Sequence, residues 1–428
     1  MERSRVGEQL SFRSMMKGNV LVLTVSRVLW SMSDTIVYPY LSLFILALGG
    51  SKNTIGDVYF WGSLAACVLY PIGGYIADKA GRAKFVGMAT VLYVTSFIIF
   101  AFAPSWGWLA VAYAYQQIVL FYMPALNAIM ADSIPVGGRG RIYALTIAVP
   151  EAVRIMTPYL GGYLIAVYTL EPAMRMGYTL SFIIGLVVAF IRLRYLKETI
   201  QNREGIGRNV PKIFFEGYKN VFDSLRWVFG NIRGYALTTM LLSLVGNLVL
   251  PFWVVYATEV TKLTAYDWGL VLLIGGITKT IASLVIGNLV DRVGSRKCML
   301  LSFAISIPTM TLFTYMTSFW VVVPVYMALI IASSLMWIAS SVYLANTIPR
   351  ASRGRIMSAL GSGMSVGVSG GGYASGFLVF IPMAIGSKLG GLIYTHNPAY
   401  PWFLQSIFLG VGMLCCFLYI KDPEKVEH

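Results

Sequence analysis

Apolar runs of about 20 residues alternate with short polar segments from residue 18 almost to the C-terminus. A helix of about 20 residues spans the roughly 30 Å of hydrocarbon in a bilayer, so each run predicts one transmembrane helix. The runs predict about twelve such helices. Because a helix satisfies its own backbone hydrogen bonds in lipid, the pattern predicts an all-α polytopic membrane protein.

The longest polar interruption predicts an N-terminal domain (1–195), a linker (196–232) and a C-terminal domain (233–428). Within the linker, apolar residues recur at helical spacing with Lys219 and Arg226 between them. This spacing predicts an amphipathic helix, which either lies on the inner leaflet or only straps the two domains together. The apolar positions are Phe214, Tyr218, Val221, Phe222, Leu225 and Phe229.

Composition and charge exclude several classes of protein. Hydrophobic residues make up 57% of the 428 residues and charged residues only 12%, against about a quarter in soluble domains. The net charge of +15 does not indicate nucleic-acid binding, because most of the 33 Lys and Arg residues lie in the N-terminus, in alternate loops and in the C-terminal tail. This bias predicts a multi-pass plasma-membrane protein with both termini in the cytoplasm.

The cysteine and histidine residues show no metal or redox spacing. The four cysteines lie in or beside apolar runs, where we expect them to pack as inert side chains. No catalytic constellation and no Walker-type phosphate loop is recognisable. We therefore expect no cofactor, no metal site, no enzyme activity and no ATP-driven transport.

Two motifs repeat along the chain at nearly one offset. The first, G-x-x-x-D-x-x-G with basic residues after it, recurs 213 residues later. The second contains Asp132 and Arg139 in the first half and recurs 214 residues later, where Arg353 matches Arg139. Two different motifs in the same order predict two structurally equivalent halves. The positions of the first motif are Gly74, Asp78, Gly81 and Arg82, and then Gly287, Asp291, Gly294 and Arg296.

These motifs resemble those of the major facilitator superfamily of secondary transporters, and the resemblance covers nearly the whole chain. It implies about twelve helices in two pseudo-symmetric six-helix bundles around a central cavity, with one bundle rocking against the other. It also implies that Asp78 and Asp291 each face the N-terminus of a helix in the opposite bundle and latch the cytoplasmic side shut. The alternative is that these charges only anchor loops at the membrane surface.

Two segments resemble motifs of the drug:proton antiporters in this superfamily. Residues 34–37, Asp-Thr-Ile-Val, with Pro39 after them, resemble the first-helix motif, and residues 158–162, Pro-Tyr-Leu-Gly-Gly, resemble part of the fifth-helix motif. Thr157 stands where that motif has a glycine, and Ala112 or Tyr113 where many antiporters have an arginine. The resemblance implies proton antiport.

Charged residues inside apolar runs are candidates for substrate binding and proton coupling, since each costs about 2.5–3.5 kcal/mol at a helix centre. With histidine only at 396 and 428, a proton-coupled mechanism has to use Asp34 or Glu151. Glu151 and Arg154 alternatively form a structural i,i+3 salt bridge. Arg27 lies two turns before Asp34, about 10 Å away by helix rise, so these two form no direct pair.

Lys279 is the charged candidate within a span of the second half. It binds an anionic group of a substrate, pairs across the cavity with Asp34 or Glu151, or snorkels to the membrane surface. Lys388 is a further cation inside a span. Polar and aromatic residues within spans either line the cavity or pack elsewhere. Those predicted to line it are Tyr38, Tyr113, Gln116, Asn127, Asn247, Trp337 and Tyr343.

A glycine-rich run between Gly361 and Gly376 predicts a tightly packed or broken helix in the eleventh span. Together these features predict a monomeric secondary transporter that moves small organic molecules by alternating access, with proton-coupled efflux of amphipathic compounds favoured. The alternative is uptake or exchange of an organic anion. A membrane sensor fits less well, because no soluble signalling domain is present.

Overall fold

The computed structural model describes residues 17–134, 139–200, 210–349, 352–370 and 376–422. The described part of the first half contains eight α-helices, and short 3-10 turns interrupt two of its spans at Tyr38–Tyr40 and Leu120–Tyr122. The α-helices are α1 (Gly18–Val37), α2 (Leu41–Ala47), α3 (Lys52–Ala80), α4 (Arg82–Ala101), α5 (Trp106–Val119), α6 (Met123–Ser133), α7 (Arg139–Tyr168) and α8 (Leu170–Tyr195).

The linker contains α9, and the second half repeats the pattern of the first, including a 3-10 turn at Leu250–Phe252. The α-helices are α9 (Val210–Asn231), α10 (Arg233–Val249), α11 (Trp253–Glu259), α12 (Ala265–Val293), α13 (Ser295–Phe313), α14 (Phe319–Thr347), α15 (Arg353–Leu360), α16 (Phe377–His396) and α17 (Tyr400–Tyr419).

Ten segments of the described chain are long and apolar enough to cross a membrane. The two further helices that complete about twelve spans are α7, with 30 residues, and α13, with 19. Both are less apolar than the ten, and α7 carries Glu151 and Arg154 together with Pro150 and Pro158. The all-α polytopic fold that the sequence predicts is confirmed.

Equivalent positions in the two halves have the same local structure. Pro39 and Pro251 each lie in the 3-10 turn that interrupts the first span of their half. Ser51 and Thr264 each cap the next long helix through a capping box, in which the hydroxyl accepts a hydrogen bond from the backbone three residues later. These matches are what a duplicated six-helix unit produces.

The described ends of the chain lie on the same face of the protein. Helices α3 and α16 pack antiparallel along the boundary between the halves, with Gly56 of α3 against Gly391 and the rings of Tyr70 and Phe380 5.1 Å apart. Short connections make consecutive spans antiparallel, so the start of α1 and the end of α17 share a face. We call it the terminal face, and the opposite face the distal face.

Helix α9 packs across a proline in α3. Pro71 has no N–H, so the carbonyl of Cys67 one turn earlier has no helical donor. The Tyr218 hydroxyl of α9 donates to this carbonyl at 3.1 Å and to that of Val68 at 3.2 Å. The Tyr218 ring also contacts the first residue of α16, Phe377, with ring centroids 6.0 Å apart. Helix α9 therefore contacts both halves.

Tyr218→Phe is expected to lower the free energy of unfolding by about 1 kcal/mol, because a carbonyl loses its donor while the ring contacts remain. The measurement is the thermal unfolding midpoint of the purified protein. Tyr168→Phe is the matched control, since that tyrosine is half exposed at the end of α7. Equal midpoints for the two variants would show that the Tyr218 hydroxyl contributes nothing.

Candidate functional site

A cavity of about 490 Å³ lies between the two halves. Its walls come from α1, α2, α3 and α7 of the first half and from α11, α12 and α14 of the second, together with the 3-10 turns at Tyr38–Tyr40 and Leu250–Phe252 and the residues that follow α15. Side chains that matter for its chemistry are Tyr38, Tyr59, Glu151, Arg154, Lys279 and Trp337. The cavity thus lies where a transporter with two halves binds its cargo.

Glu151 and Arg154 lie on one wall of the cavity and form an ion pair. An Arg154 N–H donates to Glu151 Oε1 at 3.4 Å, and both side chains are about two-fifths exposed, at 41% for Glu151 and 43% for Arg154. At this length and exposure the pair is loose, and protonation of Glu151 would weaken it further. This geometry agrees both with a structural i,i+3 salt bridge and with a role of Glu151 in proton coupling.

Asp34 is half-buried just behind the cavity wall and does not itself line the cavity. Its neighbour Thr35 does, and the Thr35 hydroxyl is hydrogen-bonded to that of Thr157 on α7. Asp34 lies within electrostatic range of Arg154. Arg154 therefore interacts with two carboxylates, Asp34 and Glu151.

Lys279 lines the opposite wall, on α12. Its ammonium donates to the backbone carbonyl of Gly370 at 3.5 Å and lies within electrostatic range of Glu151. It therefore faces the cavity rather than the lipid. Arg27, the remaining charged candidate, is half-buried on α1 and lies outside the cavity lining.

The eleventh span is broken where the glycine run predicted a tight or broken helix. Helix α15 ends at Leu360, the next residue, Gly361, has a φ of 108° that suits glycine, and α16 begins after Gly376. A Cβ on Gly376 would lie 2.4 Å from the backbone nitrogen of Gly361, so the chain leaves the helix and returns to the same place. We call residues 361–370 the excursion; its last two, Ser369 and Gly370, line the cavity.

Five residues predicted to line the cavity lie elsewhere. Four of them make a local contact that satisfies the polar group or covers the ring, and the fifth, Asn127, is exposed. The sequence alone does not distinguish a residue that lines the cavity from one that packs elsewhere, because a neighbouring helix can satisfy the hydrogen bonds of a polar residue equally well. The contacts are Gln117 to Tyr113 at 3.0 Å, Gln116 to Ser96 at 3.3 Å, Asn247 to Ser243 at 2.8 Å and Tyr343 stacked on Tyr235 at 5.2 Å.

The described contacts of the repeated motifs stay within their own halves. Arg82 donates to Asp132 at 2.5 Å, and Arg353 donates to the carbonyl of Ala345 at 2.6 Å. Asp291 is exposed. The side chains of Asp78 and Arg139 lie outside what the structure describes, and nothing is described around Gly74, so the latch between the halves remains a prediction.

Glycine ends the helix at both copies of the first motif. Gly81 has φ of 92° and Gly294 of 94°, in the left-handed region where other residues are strained. Gly287 faces open space. Arg296 donates to the carbonyl of Phe417, again within its own half.

A carboxylate lies at the N-terminus of the helix after each motif, which the sequence did not reveal. Glu198 accepts from the backbone N–H groups of Arg82 and Ala83 at 3.1 and 3.2 Å, and Asp422 accepts from that of Arg296 at 3.0 Å. Burial acts to raise the pKa of Glu198, but these backbone donors outweigh it and hold the pKa below its usual value. The terminal-face ends of the two halves are thus built alike.

The halves contact one another directly at the distal face. Lys388 of α16 pairs with Asp57 of α3, and Lys52 pairs with Glu259 at the end of α11. The Thr395 hydroxyl donates to Asn53 at 3.1 Å on the same seam. Lys388 is therefore a seam residue rather than part of the cavity. These contacts close the cavity toward the distal face.

The sequence matches the family model described as Major Facilitator Superfamily over residues 23–278 and 235–428. The chain belongs to this superfamily. Its fold, the two six-helix bundles and the cavity between them follow from that membership and agree with the geometry above. Members of the superfamily are transporters, and this chain is a multi-pass membrane transporter.

Curated relatives in the superfamily include efflux pumps. The chain is 23% identical over 292 residues to the multi-drug resistance efflux pump PmrA homolog of Lactococcus lactis, covering 67% of this chain and 69% of the relative. It is 23% identical over 328 residues to the multidrug resistance protein MdtG of Proteus mirabilis, covering 71% and 75%.

Solved structures of superfamily transporters share the fold. A mutant of the nucleoside transporter NupG superposes with a TM-score of 0.69 at 15% identity, covering 94% of this chain and 99% of that one. A bacterial homolog of the human lysosomal transporter Spinster, inward-facing and unoccupied, gives 0.68 at 15% identity, covering 95% and 98%. At these identities the likeness shows the fold alone.

Proposed function

We propose that the protein exports amphipathic organic compounds in exchange for protons by alternating access. The observation that carries this proposal is a carboxylate–guanidinium pair, Glu151 and Arg154, on the wall of a cavity between two halves. Relatives named as multidrug efflux pumps support export. We propose no catalytic step, and the domains bounded at 1–195, 196–232 and 233–428 act as the moving bodies and their linker.

Arg154 couples protons to substrate in this proposal. When Glu151 or Asp34 takes up a proton, its attraction for Arg154 falls, and Arg154 shifts toward the carboxylate that is still charged. Because Asp34 is on α1 and the other two are on α7, this shift changes how the two helices are held together. Substrate entering beside Glu151 competes for the same charges.

The orientation and surroundings of the protein are part of the proposal. We place it in the plasma membrane as a monomer, with the terminal face in the cytoplasm, because basic residues cluster there. The cavity, closed at the distal face, would then be loaded from the cytoplasm. The motif residues at the terminal face, including Asp78 and Asp291, would latch the opposite state.

Asp34→Asn and Glu151→Gln are each expected to reduce dye efflux driven by a pH gradient at least about tenfold, while substrate exchange without a gradient continues. The measurement is transport in proteoliposomes with and without the gradient. Glu171→Gln is the matched control, since Glu171 also pairs with an arginine on its own helix, at 2.9 Å, but lies outside the cavity lining. Unchanged proton-driven transport in both variants would refute the proposal.

Uptake or exchange of an organic anion is the second candidate. It is favoured by the charges lining the described cavity, where Arg154 and Lys279 face a single lining carboxylate, Glu151. The same proteoliposomes distinguish the two functions, because anion exchange would proceed equally well whether or not a pH gradient is applied.

A further inference from the structure

The ammonium group of Lys279 has unused hydrogen-bonding capacity inside the cavity. An ammonium carries three N–H donors. In the described part of the chain Lys279 has one hydrogen-bond acceptor, the Gly370 carbonyl, at 3.5 Å, which is the limit of a hydrogen bond. Glu151 lies across the cavity and already accepts from Arg154. Within the described residues, at least two donors of Lys279 therefore have no acceptor and are available to a ligand.

The wall behind Lys279 is fixed, and several of its carbonyl groups already accept hydrogen bonds. In the excursion, the carbonyl of Val366 accepts from Gln405 at 2.6 Å, and that of Gly367 accepts from Trp253 at 2.9 Å. Tyr326 donates to the carbonyl of Ser369. These bonds hold the oxygens toward their donors, so the wall offers an approaching anion little repulsion and keeps Gly370 in place beside Lys279.

Packing also holds this wall in place. Gly367 crosses Gly246 of α10 so closely that a Cβ on Gly367 would lie 2.3 Å from the Gly246 Cα. The excursion therefore cannot move toward α10, and Lys279 faces a preorganised surface. A fixed site binds more tightly than one that must be ordered first.

The remaining lining suits an apolar body of drug size. Ile155, Leu272, Ile330 and Trp337 surround the space beside Lys279. A volume of about 490 Å³ falls within the range of about 300–1,000 Å³ for small-molecule pockets. The described cavity thus combines apolar lining residues with charged side chains, among them Lys279.

We propose that Lys279 is the binding site for an anionic group, a carboxylate or sulfonate, on the transported compound, whose apolar part occupies the cavity. The anion accepts hydrogen bonds from the N–H donors of Lys279 that the Gly370 carbonyl does not occupy. This inference rests on the proposed transport function and names its substrate class: amphipathic acids. It applies to either direction of transport and to either mode of coupling.

The test compares three compounds with the same ring: 2-naphthoate, its neutral amide 2-naphthamide and the cation 2-naphthylmethylammonium. Affinities are measured on the purified protein from the shift of its thermal unfolding midpoint with ligand concentration. We expect the wild type to bind the naphthoate about tenfold more tightly than the amide. Lys279→Met should remove this preference, and Lys279→Arg should keep most of it.

Lys219→Met is the control, since Lys219 is exposed on α9. Amide binding by Lys279→Met shows that the variant is folded and the cavity intact. Equal binding of acid and amide by the wild type, or a preference that survives Lys279→Met, would overturn the inference. If the wild type binds the cation most tightly, the inference about Lys279 is overturned as well, but the proposed proton-coupled efflux is not. An acid preference with no response to a pH gradient would instead refute the proton-coupled function alone.

Discussion

Replacing Gly367 with alanine is expected to lower the free energy of unfolding by about 3 kcal/mol. Two costs combine. The φ of Gly367 is 73°, which an alanine adopts only with strain. Its Cβ would also lie 2.3 Å from the Cα and 2.7 Å from the oxygen of Gly246, and backbone atoms cannot rotate away. The measurement is the thermal unfolding midpoint, with the wild type measured in parallel.

Two further glycines separate these costs. Gly370 also has φ of 73°, but its nearest neighbour would be 3.6 Å from the new methyl group, so Gly370→Ala should show the backbone strain alone, about 1–2 kcal/mol. Gly410 lies inside α17 and has no atom within 4 Å, so Gly410→Ala should be neutral or stabilising. If Gly367→Ala unfolds no earlier than Gly370→Ala, the close crossing of the excursion and α10 is wrong.

The spans and their duplication could be predicted from sequence because both leave periodic signals. Apolar runs have a length that the bilayer fixes, and the motif at Gly81 and Gly294 recurs because each position needs a left-handed backbone. The similarity between the two halves extends beyond the repeated motifs. Ser51 and Thr264 lie 213 residues apart and cap equivalent helices, although neither belonged to a predicted motif.

The site was only partly predictable, because its polar residues have no periodic signal that separates cavity from packing. Glu151, Arg154 and Lys279 were found because a charge in a span is costly wherever it lies. Gln116 and Asn247 satisfied the same polar criterion, and each instead bonds to a neighbouring group within its own half. Tyr59 was missed, although it lines the cavity, because nothing local distinguishes it from other tyrosines.

The path of the excursion and the distal seam depend on contacts between distant residues. The glycine run indicated a break, but only the structure shows that Gly361 and Gly376 meet. Asp57 and Lys388 are 331 residues apart in sequence, so their pairing had no local signal. Glu198 and Asp422 accept hydrogen bonds at the N-terminus of a helix in their own half. The sequence did not predict these contacts either, because the partners are far apart along the chain.

Reversing one charge of the Asp57–Lys388 pair is expected to open the distal seam, and reversing both is expected to close it again. Asp57→Lys or Lys388→Asp places two like charges where an ion pair joins α3 to α16. The side chains are 34% and 41% exposed, so solvent moderates the effect, and we expect about a tenfold loss of transport in each single variant. The double variant restores an opposite pair and should recover most of the activity.

The seam itself can be measured by cross-linking. Asn53 and Thr395 contact one another across it, so cysteines at these two positions report its closure in a protein whose four native cysteines are serines. Cross-linking should fall in each single reversal and return in the double variant. Glu171→Lys is the control, because Glu171 pairs with Arg175 inside α8 and its reversal leaves the seam unchanged.

A double variant that remains as inactive as the singles would show that Asp57 and Lys388 matter separately rather than as a pair. Loss of transport with unchanged cross-linking would place their role in the cavity instead of the seam. If both readouts recover together, the pair holds the distal face closed while the cavity is loaded from the terminal face. Alternating access then requires this pair to break once in each cycle.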